Sequence, residues 1–126
     1  FHRGHLNIIQ TAKVYSQILI VGVLTDEAMI GYKREPIIRF LDRCHVVESI
    51  EFVDIVIPQE SLSYVQNLNL IKPDYLFHGT DWRTGIQEKT RNEALLTLKQ
   101  FSGILIEPEY YKGISTTAIV DKIRNP

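Results

Sequence analysis

Two short motifs near the ends of the chain carry the residue types best suited to chemistry. The first is His2-Arg3-Gly4-His5, followed at once by an amphipathic run, and the second is Gly-Ile-Ser-Thr-Thr at residues 113–117. Each would begin a helix, and the amino terminus of a helix offers free backbone N–H groups and a partial positive charge that favour phosphate. Two such helix starts in one small chain indicate nucleotide chemistry.

Each motif also has a simpler explanation. His2 and His5 could be surface histidines at a helix cap, and Ser115 and Thr116 could be ordinary N-caps. A zinc site is disfavoured because the chain has a single cysteine and no His-Glu-x-x-His helix. Taken singly, the structural explanations are at least as good as the functional ones. The presence of both motifs in one chain, in this order, favours function.

Three further places hold candidate functional residues. Lys33 stands beside Arg34, a pairing that usually marks a solvated loop, and Arg43 lies in a helical pattern where it could simply be exposed. Asp81 and Trp82 follow a short apolar run and could form a turn with a packed aromatic ring. They also lie just past the carboxyl end of that predicted strand, where open parallel sheets bind ligands.

The composition limits the class of protein. With 126 residues, 44% of them hydrophobic and 23% charged, the chain fits one soluble domain. A net charge of -1 gives no general attraction to nucleic acid or to an anionic membrane. The single cysteine, Cys44, excludes an internal disulfide and fits a reducing compartment. We therefore expect a cytoplasmic protein with neither nucleic-acid nor membrane partners.

Short apolar runs alternate with helical patterns, which indicates an α/β fold. Such alternation predicts βαβ crossovers and a Rossmann-like three-layer α/β/α sandwich with a mostly parallel sheet. The continuous run at residues 18–24 is typical of a strand buried on both faces. The first helix has no strand before it and the chain lacks an initiator Met, so we expect the first strand to be missing from a longer protein. The remaining predicted strands are 52–57, 75–77 and 104–106, and the clearest helices are 39–50, 61–71 and 86–101.

Together these motifs resemble the HxGH-type cytidylyltransferases of the nucleotidylyltransferase superfamily. The first motif matches the HxGH signature, Gly79-Thr80-Asp81-Trp82 resembles the family's Gly-x-Asp-Trp loop, and residues 113–117 match its terminal GIS(S/T)T motif. The helix that bears Arg43 matches the family's arginine-bearing helix. The resemblance covers essentially the whole chain, so residues 1–126 are expected to form one cytidylyltransferase-like domain.

One branch of that family is closer than the others. Residues 25–34, 58–60 and 81–87 resemble the nucleotidylyltransferases associated with phosphoenolpyruvate mutase in phosphonate biosynthesis. The resemblance implies transfer of CMP from CTP to a small phosphonate, such as 2-aminoethylphosphonate or 2-hydroxyethylphosphonate, with release of pyrophosphate. Glycerol-3-phosphate cytidylyltransferase is similar but carries an arginine in the lead to its last motif, where this chain has Tyr110-Tyr111-Lys112.

The resemblance also implies roles for individual residues. It makes His2, His5 and Lys33 catalytic, and Arg43 a ligand of the acceptor or of the phosphates. It implies Mg2+ bound with the CTP phosphates and no metal site built from protein ligands. The residues implied in nucleotide binding are Gly4, Gly79, Asp81, Trp82, Gly113, Ile114, Ser115 and Thr116.

Several alternatives stay open at this stage. Glycerol 3-phosphate or another phosphomonoester would suit the same chemistry as a phosphonate acceptor. An ATP-using adenylyltransferase shares the fold, whereas a class I aminoacyl-tRNA synthetase fragment would need a KMSKS-like loop that is absent. A degenerate nucleotide-binding regulatory module is the alternative outside enzymes. A homodimer, and a fused or partner phosphoenolpyruvate mutase, are also compatible with the resemblance.

Overall fold

Helices and short strands alternate along the chain in the computed structural model, which describes residues 1–109 and 111–125. The strands are β1 (Ile20–Leu24), β2 (Ile55–Gln59), β3 (Tyr75–Phe77) and β4 (Ile104–Ile106). Two 3₁₀ turns, Thr80–Trp82 and Gly85–Gln87, lie between β3 and the following helix. The helices are α1 (Arg3–Tyr15), α2 (Asp26–Ile30), α3 (Phe40–Glu48), α4 (Val65–Ile71), α5 (Glu88–Lys99) and α6 (Thr116–Arg124).

The four strands form two parallel pairs. Ile20 of β1 is opposite Ile55 of β2, and Tyr75 of β3 is opposite Ile104 of β4. Helices α2 and α3 connect the first pair and α5 connects the second, as parallel pairing requires. The expected α/β fold with parallel strands is therefore confirmed. Within residues 1–109 and 111–125 no hydrogen-bonded ladder joins β1 to β3, and the expected strand ahead of the first helix stays a prediction.

Two hydrophobic clusters hold these elements together. One lies between α4, α5 and the 3₁₀ turn, and its centre is Trp82, which is fully buried together with Ala94 and Leu98. The other lies under α1, where Ile9 and Ala12 pack with Leu19. The partly buried side chains that pack against this second cluster come from both strand pairs and from the loop before β2, and they are Val21, Ile50, Phe52, Val53 and Phe77. Helix α1 thus connects the two pairs through side-chain packing.

Several predicted boundaries were wrong, for local reasons. The second strand begins at Ile55 rather than at residue 52, because the carboxylate of Asp54 accepts hydrogen bonds from Leu19 N (2.7 Å) and Lys13 Nζ (2.8 Å) and so holds a turn before the strand. The helix predicted from residue 61 begins at Val65, because the carbonyls of Ser61 and Ser63 accept hydrogen bonds from Gln59 Nε2, both at 2.8 Å.

The first strand is also less buried than predicted. The run at residues 18–24 was expected to be covered on both faces, yet Ile18 is 65% exposed and within β1 only Val23 is buried. The reason is that β1 has a paired strand along one edge only within the described part of the chain. None of the described helices is long and apolar enough to cross a membrane.

Candidate active site

The first motif forms the amino-terminal end of α1, and both histidines cap it. His2 is the N-cap, and its Nδ1 accepts a hydrogen bond from the backbone N–H of Gly4 at 3.1 Å. In return, Nδ1 of His5 accepts from the backbone N–H of His2 at 3.3 Å, which completes a reciprocal capping box. A Cβ atom on Gly4 would lie 2.8 Å from the His2 ring, so the glycine is required for this arrangement.

These capping bonds decide which nitrogen of each ring carries the proton. A neutral imidazole whose Nδ1 accepts a hydrogen bond must carry its hydrogen on Nε2. Partial desolvation of the ring, followed by the charge of His2, lowers the pKa of His5 to about 4. Desolvation is also the first cause that lowers the pKa of His2. At neutral pH both rings, whose centroids are 4.2 Å apart, therefore present an Nε2–H donor.

The second motif begins α6, and Tyr111, two residues ahead of the motif, lies against the first motif. Ser115 is the N-cap of α6, and its Oγ accepts a hydrogen bond from Ala118 N at 3.0 Å. Tyr111 lies between the motifs, since its Cβ is 3.8 Å from the place a Cβ on Gly4 would occupy. A Cβ on Gly113 would lie 2.6 Å from the same tyrosine ring, so a side chain there would displace the ring. Tyr111, in the lead to the second motif, is thus placed against the first motif, and Thr116 opens the second helix.

The loop that follows β3 holds the next group of sequence-predicted residues. The ring of His78 stacks on Trp82 with centroids 3.7 Å apart and an interplanar angle of 11°. Nδ1 of His78 lies 2.8 Å from the carbonyl of Gly79. The carboxylate of Asp81 is close enough to His5 for its charge to raise the pKa of that ring, against the larger lowering effects. Of the sequence-predicted residues in this loop, Asp81 is thus near enough to His5 for its charge to act on that ring, and Trp82 is completely buried.

Lys33 also lies near the histidines. Its charge is among the causes that lower the pKa of His5, and its Nζ is 5.0 Å from the centroid of the Tyr32 ring. The charge of Lys33 is thus close enough to His5 to act on its ring. Two neutral donors and a nearby cation are groups that could bind a polyanion and neutralise its charge.

Arg43 is engaged elsewhere in the structure. Its guanidinium donates to Asp26 Oδ1 (2.7 Å), to the carbonyl of Leu24 (2.6 Å) and to the carbonyl of Ile38 (3.0 Å). The hydrogen bond from Arg43 is the main reason that the pKa of Asp26 lies below its ordinary value. These contacts fasten α3 to the carboxyl end of β1. A role of Arg43 in acceptor binding stays a prediction. In that role, the same guanidinium would bind the acceptor and keep its structural hydrogen bonds.

Sequence reasoning missed a cluster at the carboxyl end of β4. The carboxylate of Glu107 accepts hydrogen bonds from the side chains of Trp82, Arg83 and Arg91. The available signal was a glutamate placed directly after a short apolar strand. Nearby, an open cavity of about 250 Å³ is lined by Thr80, Arg83, Glu109 and Lys112.

No group of three or more His, Cys, Asp or Glu side chains that could hold a metal ion occurs within residues 1–109 and 111–125. A structural metal centre built from these residues alone is therefore not observed. The Nε2–H donors of His2 and His5 are instead suited to phosphate oxygens.

Comparison with known proteins agrees with this geometry. A bifunctional protein HldE from Helicobacter pylori strain G27 is 32% identical over 127 residues, which is 98% of this chain and 25% of that protein. A probable ethanolamine-phosphate cytidylyltransferase from Schizosaccharomyces pombe is 28% identical over 126 residues, which is 98% of this chain and 33% of that protein. The chain therefore spans about a quarter to a third of the length of these relatives.

A solved structure shows the same fold. The crystal structure of the lipopolysaccharide core biosynthesis protein from Thermoplasma volcanium GSS1 superposes with a TM-score of 0.70 at 18% sequence identity, covering 90% of this chain and 89% of that one. The family described as Cytidylyltransferase-like matches residues 1–122. At the level of the family, this match confirms the expectation of a nucleotidyltransferase. The chain belongs to the Cytidylyltransferase-like family.

Proposed function

We propose that the protein containing this chain transfers CMP from CTP to a small phosphonate and releases pyrophosphate. The observation that carries this proposal is that Tyr111, in the lead to the second motif, lies against Gly4 of the first motif, whose two histidines present Nε2–H donors. Two helix amino termini that face one place suit a triphosphate better than a single phosphate.

The chemistry needs positioning more than acid–base catalysis. An acceptor oxygen attacks the α-phosphorus of CTP in line, a new P–O bond forms, and the bond to pyrophosphate breaks. Phosphoryl oxygens are already largely ionised at pH 7, since their second pKa is about 6. No general base is then required, and catalysis rests on alignment and on neutralising the charge that builds up on the phosphate oxygens.

The side chains around His5 supply those two requirements. His2 and His5 would donate hydrogen bonds from Nε2 to the oxygens of the α-phosphate. Lys33 would neutralise the negative charge on those oxygens. Ser115 and Thr116 would hold the outer phosphates through their hydroxyls and backbone N–H groups. Gly4, Gly113 and Ile114 would let the phosphates approach the backbone closely, and Gly79, Asp81 and Trp82 would form the nucleotide wall.

Mg2+ would enter bound to the CTP phosphates, where it supplies charge neutralisation at the leaving pyrophosphate. Magnesium usually keeps several waters and takes only one or two protein carboxylates, so the absence of a three-ligand cluster among the described residues is compatible with it. Asp81 is the carboxylate whose charge acts on His5, and it would be able to hold such an ion.

A phosphomonoester is the second candidate acceptor. The relative named as a probable ethanolamine-phosphate cytidylyltransferase favours this alternative, because ethanolamine phosphate is a phosphomonoester. The phosphonate proposal is supported by the resemblance of residues 25–34 and 81–87 and by the Tyr111-Lys112 lead in place of an arginine. Tyr110, the first residue of that lead, lies outside the described residues. We also propose a cytoplasmic setting, in keeping with the single cysteine.

The test is pyrophosphate release by the full-length protein. CTP and ATP are each paired with 2-aminoethylphosphonate, 2-hydroxyethylphosphonate, ethanolamine phosphate and glycerol 3-phosphate, with magnesium present throughout. We expect the highest kcat/KM for CTP with a phosphonate. A preference of about tenfold or more (about 1.4 kcal/mol) for a phosphomonoester would establish the alternative acceptor, and the same preference for ATP would overturn the proposed nucleotide.

A further inference from the structure

The carboxylate of Glu107 is a buried centre that receives three donors. Its side chain is only 5% exposed, and it accepts from Trp82 Nε1 at 3.2 Å and from Arg91 Nε at 2.5 Å. It also accepts from Nε of Arg83. Burial raises the pKa of Glu107, but hydrogen bonds from Arg91, Arg83 and Trp82 outweigh this effect and leave the pKa below its ordinary value. Glu107 is therefore a charged, fixed anchor at neutral pH.

Its two arginine partners have different surroundings. Arg83 is 54% exposed at its side chain and lines the open cavity, facing it together with Lys112. Arg91 is 27% exposed and is not among the residues that line that cavity. Because Glu107 holds Arg83 through Nε, the two terminal nitrogens of the guanidinium are the ones left to meet a ligand, and within the described residues they make no hydrogen bond.

The cavity has the charge and the donor geometry for a phosphoryl group. Arg83 and Lys112 supply two positive charges against the single carboxylate of Glu109, so the lining is net positive. The planar fork of an arginine pairs with two phosphoryl oxygens at once, provided that the fork is held in orientation. Thr80 adds a hydroxyl on the same wall.

On the basis of the proposed function, we infer that Glu107 is a positioning residue. It fixes Arg83 so that Arg83 and Lys112 bind the phosphoryl head of the acceptor in this cavity. Glu107 itself touches no substrate and acts through the arginine. Arg91 shares the same carboxylate but has no part in binding the acceptor. The chain thus provides its own matched comparison between a ligand-facing arginine and a purely structural one.

The test is a double-mutant cycle in the full-length protein, with 2-aminoethylphosphonate as the acceptor. Arg83→Gln should raise the acceptor KM by about tenfold to a hundredfold, because a hydrogen bond to a charged group is lost. Glu107→Gln should raise it by a smaller factor. The double variant should be no worse than Arg83→Gln alone, since Glu107 acts through that side chain. The KM for CTP should change by less than about threefold in all three.

Controls separate positioning from loss of structure. Arg91→Gln should leave the acceptor KM within about twofold, even though it removes a partner from the same carboxylate, and Glu107→Asp should recover part of the loss. Equal effects of Arg91→Gln and Arg83→Gln, additive effects in the double variant, or a change in the CTP KM instead would each overturn the inference.

Calorimetry of phosphonate binding without nucleotide distinguishes a failure of the inferred acceptor subsite from a failure of the proposed function. If no nucleotide supports turnover in the wild-type protein, the proposed function is wrong. Binding of the phosphonate that is lost in Arg83→Gln and kept in Arg91→Gln would still support the subsite, and binding that neither variant weakens would overturn it.

Discussion

The guanidinium carbon of Arg3 lies 5.2 Å from the ring centroid of Tyr111, which joins the first motif to the lead of the second. A cation over an aromatic face contributes about 0.5–1 kcal/mol at an exposed site. The tyrosine ring also occupies the space next to Gly113. One aromatic ring therefore contacts the first motif and also lies next to the glycine of the second.

Replacing this ring should loosen the nucleotide site. We expect Tyr111→Ala to raise the KM for CTP by about tenfold, since the two helix starts would no longer be held at a fixed separation. Tyr111→Phe keeps the ring and should stay within about twofold of the wild type. Steady-state kinetics with varied CTP would check both, and equal KM values for the alanine and phenylalanine variants would contradict the role of the ring.

His5 should be needed for turnover more than for nucleotide binding. We expect His5→Ala to lower kcat by about a hundredfold or more, because the transition state loses a preorganised donor. The dissociation constant for CTP, measured by calorimetry, should change much less. His45→Ala, at an exposed histidine of α3 that pairs only with Glu48 at 3.6 Å, is the matched control and should keep full activity. Near-normal kcat in His5→Ala would leave capping as the role of His5.

The capping role can be measured separately through the pH dependence of stability. The pKa of His5 is lowered to about 4 in the folded protein, whereas the ordinary value is 6.5. Between these values the unfolded chain binds the proton more readily, so the free energy of unfolding should fall as the pH drops from 6.5 towards 4 and this loss should end below 4. Urea unfolding at several pH values should show a shallower decline in His5→Gln, which keeps a capping side chain but does not titrate. An identical decline in both proteins would contradict this assignment.

Arg43 should contribute to stability through its geometry. We expect Arg43→Lys to lower the free energy of unfolding by about 1–3 kcal/mol, because a lysine cannot serve Asp26 and two carbonyls at once. Arg39→Lys is the control, since Arg39 forms an exposed pair with Glu35 and should change stability by less than about 0.5 kcal/mol. Chemical denaturation measures both. A stable Arg43→Lys protein with a raised acceptor KM would instead favour the predicted role in acceptor binding.

The sequence predicted the features that have a local or periodic signal. The first and last helices and the third and fourth strands follow from apolar spacing, and the helix starts at His2 and Ser115 follow from motif residues. The short helix α2 could also have been predicted, since a threonine at its start is a common N-cap. Oγ1 of Thr25 accepts a hydrogen bond from Ala28 N at 3.2 Å.

Features that depend on distant partners could not be predicted in the same way. Gln59 shortens α4 by binding two carbonyls in the following loop, and Glu107 gathers side chains that are 16 to 25 residues away in the chain. Such contacts produce no periodic pattern of apolar residues in the sequence. The same reason explains Arg43. Its residue type suggested a ligand-binding role, but its hydrogen bonds connect α3 to the end of β1 and to Asp26.

The packing of α1 against both strand pairs has a mechanical consequence. Lys33 follows β1 of the first pair and Asp81 follows β3 of the second, so a ligand that contacts both groups bridges two strand pairs that α1 joins by side-chain packing. Packed side chains can slide past one another by small amounts, whereas a ladder of hydrogen bonds cannot. Under the proposed function, we expect nucleotide binding to draw the two pairs together and product release to let them separate. Amide exchange in β1 and β3 should then slow together when the nucleotide binds, although the two strands belong to different sheets.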